Sequence, residues 1–333
     1  MKPAFLFVIL AVAAGARQWP PAPAWPRVET VSEFSGPRRA PPSGGWGRFT
    51  RALLGIEEDR PGARRPGGLV QPTGLAARGG VVFVADPGAK AVFRFTEGTG
   101  RGDWWPRGES LALESPVAVA AAPDGRLFVA DSALGRVFIL GPDGRPAGEL
   151  RGDPAGMGRP VGLALSKDRL YVSDVARHRV AMYDLNGIFI AAFGRRGRAA
   201  GEFNFPTYLW YEEAAQRLWV CDSGNFRVQR LTRDGVPDGS VGAAGNRPGY
   251  LARPRGVAVD SDGHLYIVDA AFEAFSLFDR EGKLLLFVGS AGGAAGEFAL
   301  PGGIFIDEGD RVLVADTLNA RVQILRYAKG PQP

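Results

Sequence analysis

The chain writes one short phrase six times, and this constrains its fold more than any other feature. Aligned on an aspartate, the copies read VVFVADPGAKAVFRF, RLFVADSALGRVFIL, RLYVSDVARHRVAMY, RLWVCDSGNFRVQRL, HLYIVDAAFEAFSLF and RVLVADTLNARVQIL. The aspartates are Asp86, Asp131, Asp174, Asp222, Asp269 and Asp316, spaced 45, 43, 48, 47 and 47 residues apart. Each follows an alternating or β-branched run and precedes a few turn-forming residues and a second apolar run, which is the pattern of a hairpin. Upstream of each hairpin a third strand opens on proline: PTGLAA, PVAVAA, PVGLAL, PTYLWY, PRGVAV and PGGIFI. A fourth follows, most plainly in GIFIAAFG and KLLLFVG. Four strands recurring at this period make one propeller blade per repeat. The expected fold class is therefore all-β: a six-bladed β-propeller of four-stranded antiparallel blades over residues 66–327.

Composition agrees with many short strands joined by tight turns, since 47 glycines and 26 prolines accompany 45% apolar residues. Closure of the ring needs one more strand. After Leu325 only a short tail follows, ending in residues 328–333, so the sixth blade lacks an outer strand and would present an open edge. The stretch RVETVSEFS, Arg27 to Ser35, alternates Val28, Thr30 and Ser32 against Glu29, Val31 and Glu33 and is predicted to supply it. Behind it, WGRFTRALLGI sets Trp46, Phe49, Leu53 and Ile56 at helical spacing, so residues 27–65 are predicted to hold the closing strand and a short amphipathic helix.

The Pro-x-Gly-hydrophobic opening and the Asp-x-x-Asn-x-Arg-Val hairpin resemble the NHL-repeat family of β-propellers. Blades one and five depart from the pattern, with Ala91 and Ala274 at the arginine position. The resemblance implies the fold; members of the family serve as binding platforms, as sensors and occasionally as enzymes. Within the repeat, the six aspartates can accept hydrogen bonds from turn amides, and Arg136, Arg179, Arg227 and Arg321 can pair with carboxylates. These positions are expected to be scaffold.

The start of the chain, MKPAFLFVILAVAAGARQWPP, has one basic residue, an apolar run from Ala4 to Ala14 and small residues ending at Ala16. It reads as a signal peptide over 1–16, too short to span a bilayer, followed by a Pro-rich spacer over 17–26. The expected location is outside the cytoplasm, periplasmic or extracellular, with membrane attachment only through an uncleaved leader. The net charge of +5 belongs to the first 70 residues, which hold ten Lys/Arg and five Asp/Glu; subtracting these from totals of 40 and 35 leaves thirty of each. A neutral body disfavours nucleic acid as a partner. Cys221, the only cysteine, permits no disulfide within the chain and reads as a small buried apolar residue.

Function is expected where the repeat is broken. Strand order brings the hairpin turns and the connections into each inner strand to one rim. There Tyr208 and Arg255 replace small residues, and Arg177, His178, Asn225, Phe226, Phe272 and Glu273 occupy the turns of blades three to five. Arg195, Arg196 and Arg198 stand in a Gly-rich loop that can grip acidic groups or be merely solvated. Trp104 and Trp105 read as a loop pair that anchors a partner or covers an apolar flank. Two histidines, His178 and His264, cannot build a three-histidine zinc site, and the inner-strand openings carry no carboxylate for a calcium-centred one. The expectation is a non-enzymatic platform that binds a protein of the cell envelope or an extended ligand, without cofactor or metal. The alternative is a hydrolase or lyase with a small-molecule site in the central channel.

Overall fold

The computed structural model describes residues 5–6, 10–11, 17–20, 27–35 and 67–328. Six four-stranded antiparallel blades stand in a ring. In blade three, Pro160–Leu165 lies innermost, followed outward by Arg169–Asp174, Arg179–Asp184 and Phe189–Phe193. The innermost strands of the other blades are Leu75–Arg78, Pro116–Ala121, Pro206–Glu212, Pro254–Val259 and Pro301–Ile306. Each contacts the next, and Pro301–Ile306 contacts Leu75–Arg78, which closes the circle.

The middle strands read as near-continuous apolar runs because both of their faces are covered by neighbouring blades. Six hydrophobic clusters result, one between each adjacent pair of blades. No central core exists for them to share. Stability is therefore a sum of blade-to-blade interfaces, and an open ring would lose one of them outright.

The predicted closing strand is present. Arg27–Phe34 pairs antiparallel with Arg321–Ala328 as the fourth strand of blade six. Val28 and Thr30 are buried while Val31 is exposed, as the alternation predicts, whereas Ser32 is only half-buried and Phe34, outside that reading, is buried. Val28 joins the cluster between blades five and six, and Phe34 joins the one between blades six and one, where it stacks on Phe95 with ring centres 5.0 Å apart. Burying each contributes about 1.5–3 kcal/mol. Arg321 adds an ion pair of 2.7 Å to Glu33.

The amphipathic helix expected around Trp46–Ile56 lies outside the described residues, as does most of the leader. Of the leader, the backbone at Phe5–Leu6 pairs with the outer strand of blade one, and Leu10–Ala11 pairs with the closing strand. Residues 17–20, expected as part of a free spacer, lie on the ring. Gln18–Trp19 pairs with the closing strand, Trp19 packs on the cluster between blades five and six over the bare Cα of Gly296, and Arg17 pairs with Glu297 at 2.8 Å. Proline content signals extended backbone, but it carries no sign of the slot that receives an indole. Among the described residues no helix is long and apolar enough to cross a membrane.

Candidate functional site

All six hairpin turns share one geometry. The fourth residue after each repeat aspartate is left-handed: Lys90, Gly135, His178, Phe226, Glu273 and Ala320, at φ between 49° and 63°. Only blade two uses glycine there. Holding a β-carbon in this region costs about 1–2 kcal/mol, and the aspartate supplies the compensating bonds. Asp316 is fully buried; its Oδ1 accepts from the Ala299 amide at 2.8 Å, and its Oδ2 accepts from Arg321 Nε at 2.7 Å, Asn319 Nδ2 at 2.8 Å and Gln323 Nε2 at 3.1 Å. Asp222 repeats this set with Asn225, Arg227 and Gln229. Arg179 lies 3.8 Å from Asp174 and pairs more closely with Asp153, whereas Arg136 is exposed and reaches Glu149 at 3.5 Å. Asp86, in the blade where Ala91 replaces the arginine, is pushed above the ordinary carboxylate range by burial, against the pull of the Val70, Gln71 and Ala89 amides.

Because each aspartate bonds both its own turn and the connection preceding its blade, those two loops are neighbours on one face. The residues singled out in blades three and four assemble there. His178 Nδ1 accepts from the Phe205 amide at 3.1 Å, with the two rings 4.9 Å apart. Arg177 donates to the Ala155 carbonyl at 2.8 Å. Asn225 donates to the Gly197 carbonyl at 2.8 Å, fixing the arginine loop. Inside that loop Glu202 accepts from the Arg198 and Ala199 amides and pairs with Arg195 at 2.8 Å; the Ala199 amide and then Arg195 hold its carboxyl below the ordinary value. Arg196 and Arg198 remain exposed. In blade five Phe272 packs edge-on to Phe287 at 6.1 Å, beside Glu273.

Trp104 and Trp105 do not belong to this face. They end the outer strand Arg101–Trp105 of blade one rather than a loop. Trp105 is buried between blades one and two under Gly144 and donates to Asp103 at 3.1 Å, while Trp104 meets Phe93 edge-on at 5.0 Å. The sequence DWWP resembled a turn because of its proline; the strand is set by pairing with Val92 and Phe93.

Of the apolar part of the face the sequence points to Phe226 and Phe272 but not to Val70, Leu134, Phe205, Tyr250 or Leu318. Of the large hydrophobic residues exposed among the described residues, Val70, Leu134, Phe205, Phe226, Tyr250 and Leu318 all lie in its turns and connections. The available signal was a leucine inside the turns DSALGR and DTLNAR, beside the phenylalanines in DSGNFR and DAAFEA.

Tyr208, expected on the rim, belongs to the channel; Arg255 stands near the start of the neighbouring inner strand and is not part of the cavity lining. Tyr208 stands where blades one, three, five and six have Gly74, Gly162, Gly256 and Gly303, and its ring lies over the bare Cα of Gly303. Its hydroxyl donates across the ring to the Val117 carbonyl at 3.2 Å, and burial raises its pKa, with Arg255 pulling the other way. Tyr208 thereby lies at one end of a central cavity of about 600 Å³ that opens on the opposite face. Glu212, Glu213, Asp260, Asp307, Glu308 and Asp310 are among the residues at its mouth. Beside the mouth, Asp260, Asp262 and His264 offer ligand atoms within 4.8 Å of one another. Both oxygens of Asp260 already accept hydrogen bonds, from the Asp262 and His264 amides, the His264 ring and the Tyr266 hydroxyl, so the group is a closed turn.

A ring of six blades with buried aspartate hubs and a loop-rich face defines a propeller of the NHL class. The family model of the teneurin NHL domain matches residues 107–298, and the chain belongs to the NHL family. It is 26% identical over 128 residues to the protein brain tumor of Drosophila melanogaster, a stretch covering 38% of this chain and 12% of that protein. Among solved structures, a gluconolactonase from Xanthomonas campestris superposes with TM-score 0.65 at 16% identity, covering 98% of this chain and 99% of that one. An auxiliary nutrient binding protein from Bacteroides thetaiotaomicron gives 0.62 at 11%, covering 79% and 71%. Virginiamycin B lyase from Staphylococcus aureus gives 0.56 at 13%, covering 77% and 95%. These likenesses are of fold; their holders include enzymes and a binding protein.

Proposed function

We infer that this propeller is an exported binding module, without chemistry of its own, that engages a protein partner through its loop-rich face. The observation that carries the reading is the exposure of Leu134, Phe205, Phe226 and Leu318, at blades two, four and six, on one face in turns and connections held by buried aspartates. Exposed apolar anchors on a rigid frame lose little entropy on binding, and the exposed Arg196 and Arg198 beside them supply a polar rim. The bulky Phe226 and Glu273 sit at left-handed positions that glycine would fill with less strain, which fits side chains kept for contact. The apolar run ahead of Ala16 supports export.

The test is site-specific photocrosslinking in the native cell envelope, with benzoylphenylalanine at Phe226 or Leu318 and, as control, at Ile190 on the outer strand of blade three. One dominant adduct from the two face positions and none from Ile190 is expected. Equal yields at all three positions overturn the reading. A second reading, a hydrolase or lyase working in the channel, is favoured by the size of the cavity; turnover in a lactone and ester screen, lost on Tyr208→Phe, would replace the first.

A further inference from the structure

The cavity on the opposite face is not used by the reading above. We propose that it is a binding site for a small organic cation with an apolar body. Its volume of about 600 Å³ lies within the roughly 300–1,000 Å³ range of small-molecule pockets. Ala77, Ala121, Leu165, Trp210 and Phe305 line its walls, and the Trp210 and Phe305 rings meet edge-on at 5.3 Å. The end at Tyr208 offers no free donor from that side chain, whose hydroxyl proton is committed to Val117. A ligand polar along its length would lose its water between the apolar walls and regain few partners.

The mouth is different. Its six carboxylates face three cations, Arg78, Lys167 and Arg280. Arg280 is engaged with the Asp262 carbonyl at 2.8 Å, while Arg78 and Lys167 reach Glu308 and Glu213 only at 4.0 and 3.8 Å. Arg311, just outside, is shared between Asp307 at 2.6 Å and Glu97 at 2.9 Å. A negative excess thus stands over an apolar, aromatic-walled cup, and low-dielectric walls focus such a field on whatever sits at the opening. An ammonium head at the mouth with its body laid against the Trp210–Phe305 pair satisfies both halves, and the rings add cation–π attraction. An anion of the same shape meets repulsion.

The experiment is calorimetric titration of the full chain with phenylbutylammonium, with phenylpentanoate as its anionic counterpart, and with tetramethylammonium as the head without the body. The ammonium is expected to bind one per chain, and both comparators about tenfold or more weaker. Glu308→Lys, at a side chain 71% exposed, should weaken the ammonium about fivefold without changing the melting temperature. Trp210→Leu should weaken it as well. The proposal is overturned if nothing binds, if phenylpentanoate binds as well as the ammonium, or if Glu308→Lys leaves the affinity unchanged. Since this site and the partner-binding face lie on opposite sides, failure here leaves the binding-module reading intact.

Discussion

Exchanging Asp316 for asparagine, set beside the same change at Asp269, tests the account of the repeat. Asparagine keeps the shape, so no cavity term enters. At Asp316 one oxygen takes a bond from each of Arg321 Nε, Asn319 Nδ2 and Gln323 Nε2; a new Nδ2 group in its place loses all three, and with the amide turned over it confronts the Ala299 amide instead, although Asn319 and Gln323 keep the Gly292 and Glu297 carbonyls as second acceptors. Arg321, whose side chain is 5% exposed, retains Glu33 and the carbonyls of Ala294 and Glu297. The loss should therefore fall near the lower end of the range for breaking a buried pair, about 3–4 kcal/mol. At Asp269 the blade has Ala274 in place of the arginine, and the carboxylate serves only the amides of Ala252, Arg253 and Ala271. That change should cost about 1–2 kcal/mol. Urea unfolding of the full chain, followed by circular dichroism and by tryptophan fluorescence, reads the difference; Asp316→Asn should also melt roughly 10 °C lower than the parent. If the two variants lie within about 0.5 kcal/mol of each other, the arginine and glutamine add nothing to the hub and the reasoning fails.

Two further outcomes follow from the same structure. Burial pushes the Cys221 thiol well above its ordinary range, so the folded protein should leave a thiol reagent unconsumed near about pH 8 while the urea-unfolded chain reacts at once; fast labelling of the native protein would contradict the packing between blades four and five. The carboxyl of Glu202 is depressed below 4.5 by the Ala199 amide and Arg195. A depressed carboxylate contributes stability that is present above its unfolded value, roughly 4.3, and lost as pH falls through the folded value. Protection of the 195–205 loop against hydrogen exchange, relative to the intrinsic rate at each pH, should therefore fall on acidification through that window, and Glu202→Gln should lower it at neutral pH as well.

How much was legible in the sequence differs sharply between the blades and the site. The hub aspartates, the proline-led inner strands and the alternation of Val28 and Thr30 against Val31 depend on neighbours within one repeat or one strand, and periodicity records such neighbours directly. The site depends on which loops meet. His178 and Phe205 are joined by a hydrogen bond between different blades, and Asn225 reaches back to Gly197; no spacing encodes either contact. The tryptophan pair shows the same limit in reverse, since DWWP has the composition of a loop and the burial of a strand.

The sequence by itself determined the number of blades, the turn chemistry and the need for a closing strand, because each is a local rule written six times. Only the tertiary structure decided that Tyr208 stands at one end of the channel, that His178 meets Phe205 while Asn225 holds the arginine loop, and that an aromatic-walled cup lies between the acidic strand ends. Those facts depend on where a side chain stands relative to residues as much as ninety-one positions away, and a ring brings such residues together by closure, which leaves no local trace in the chain.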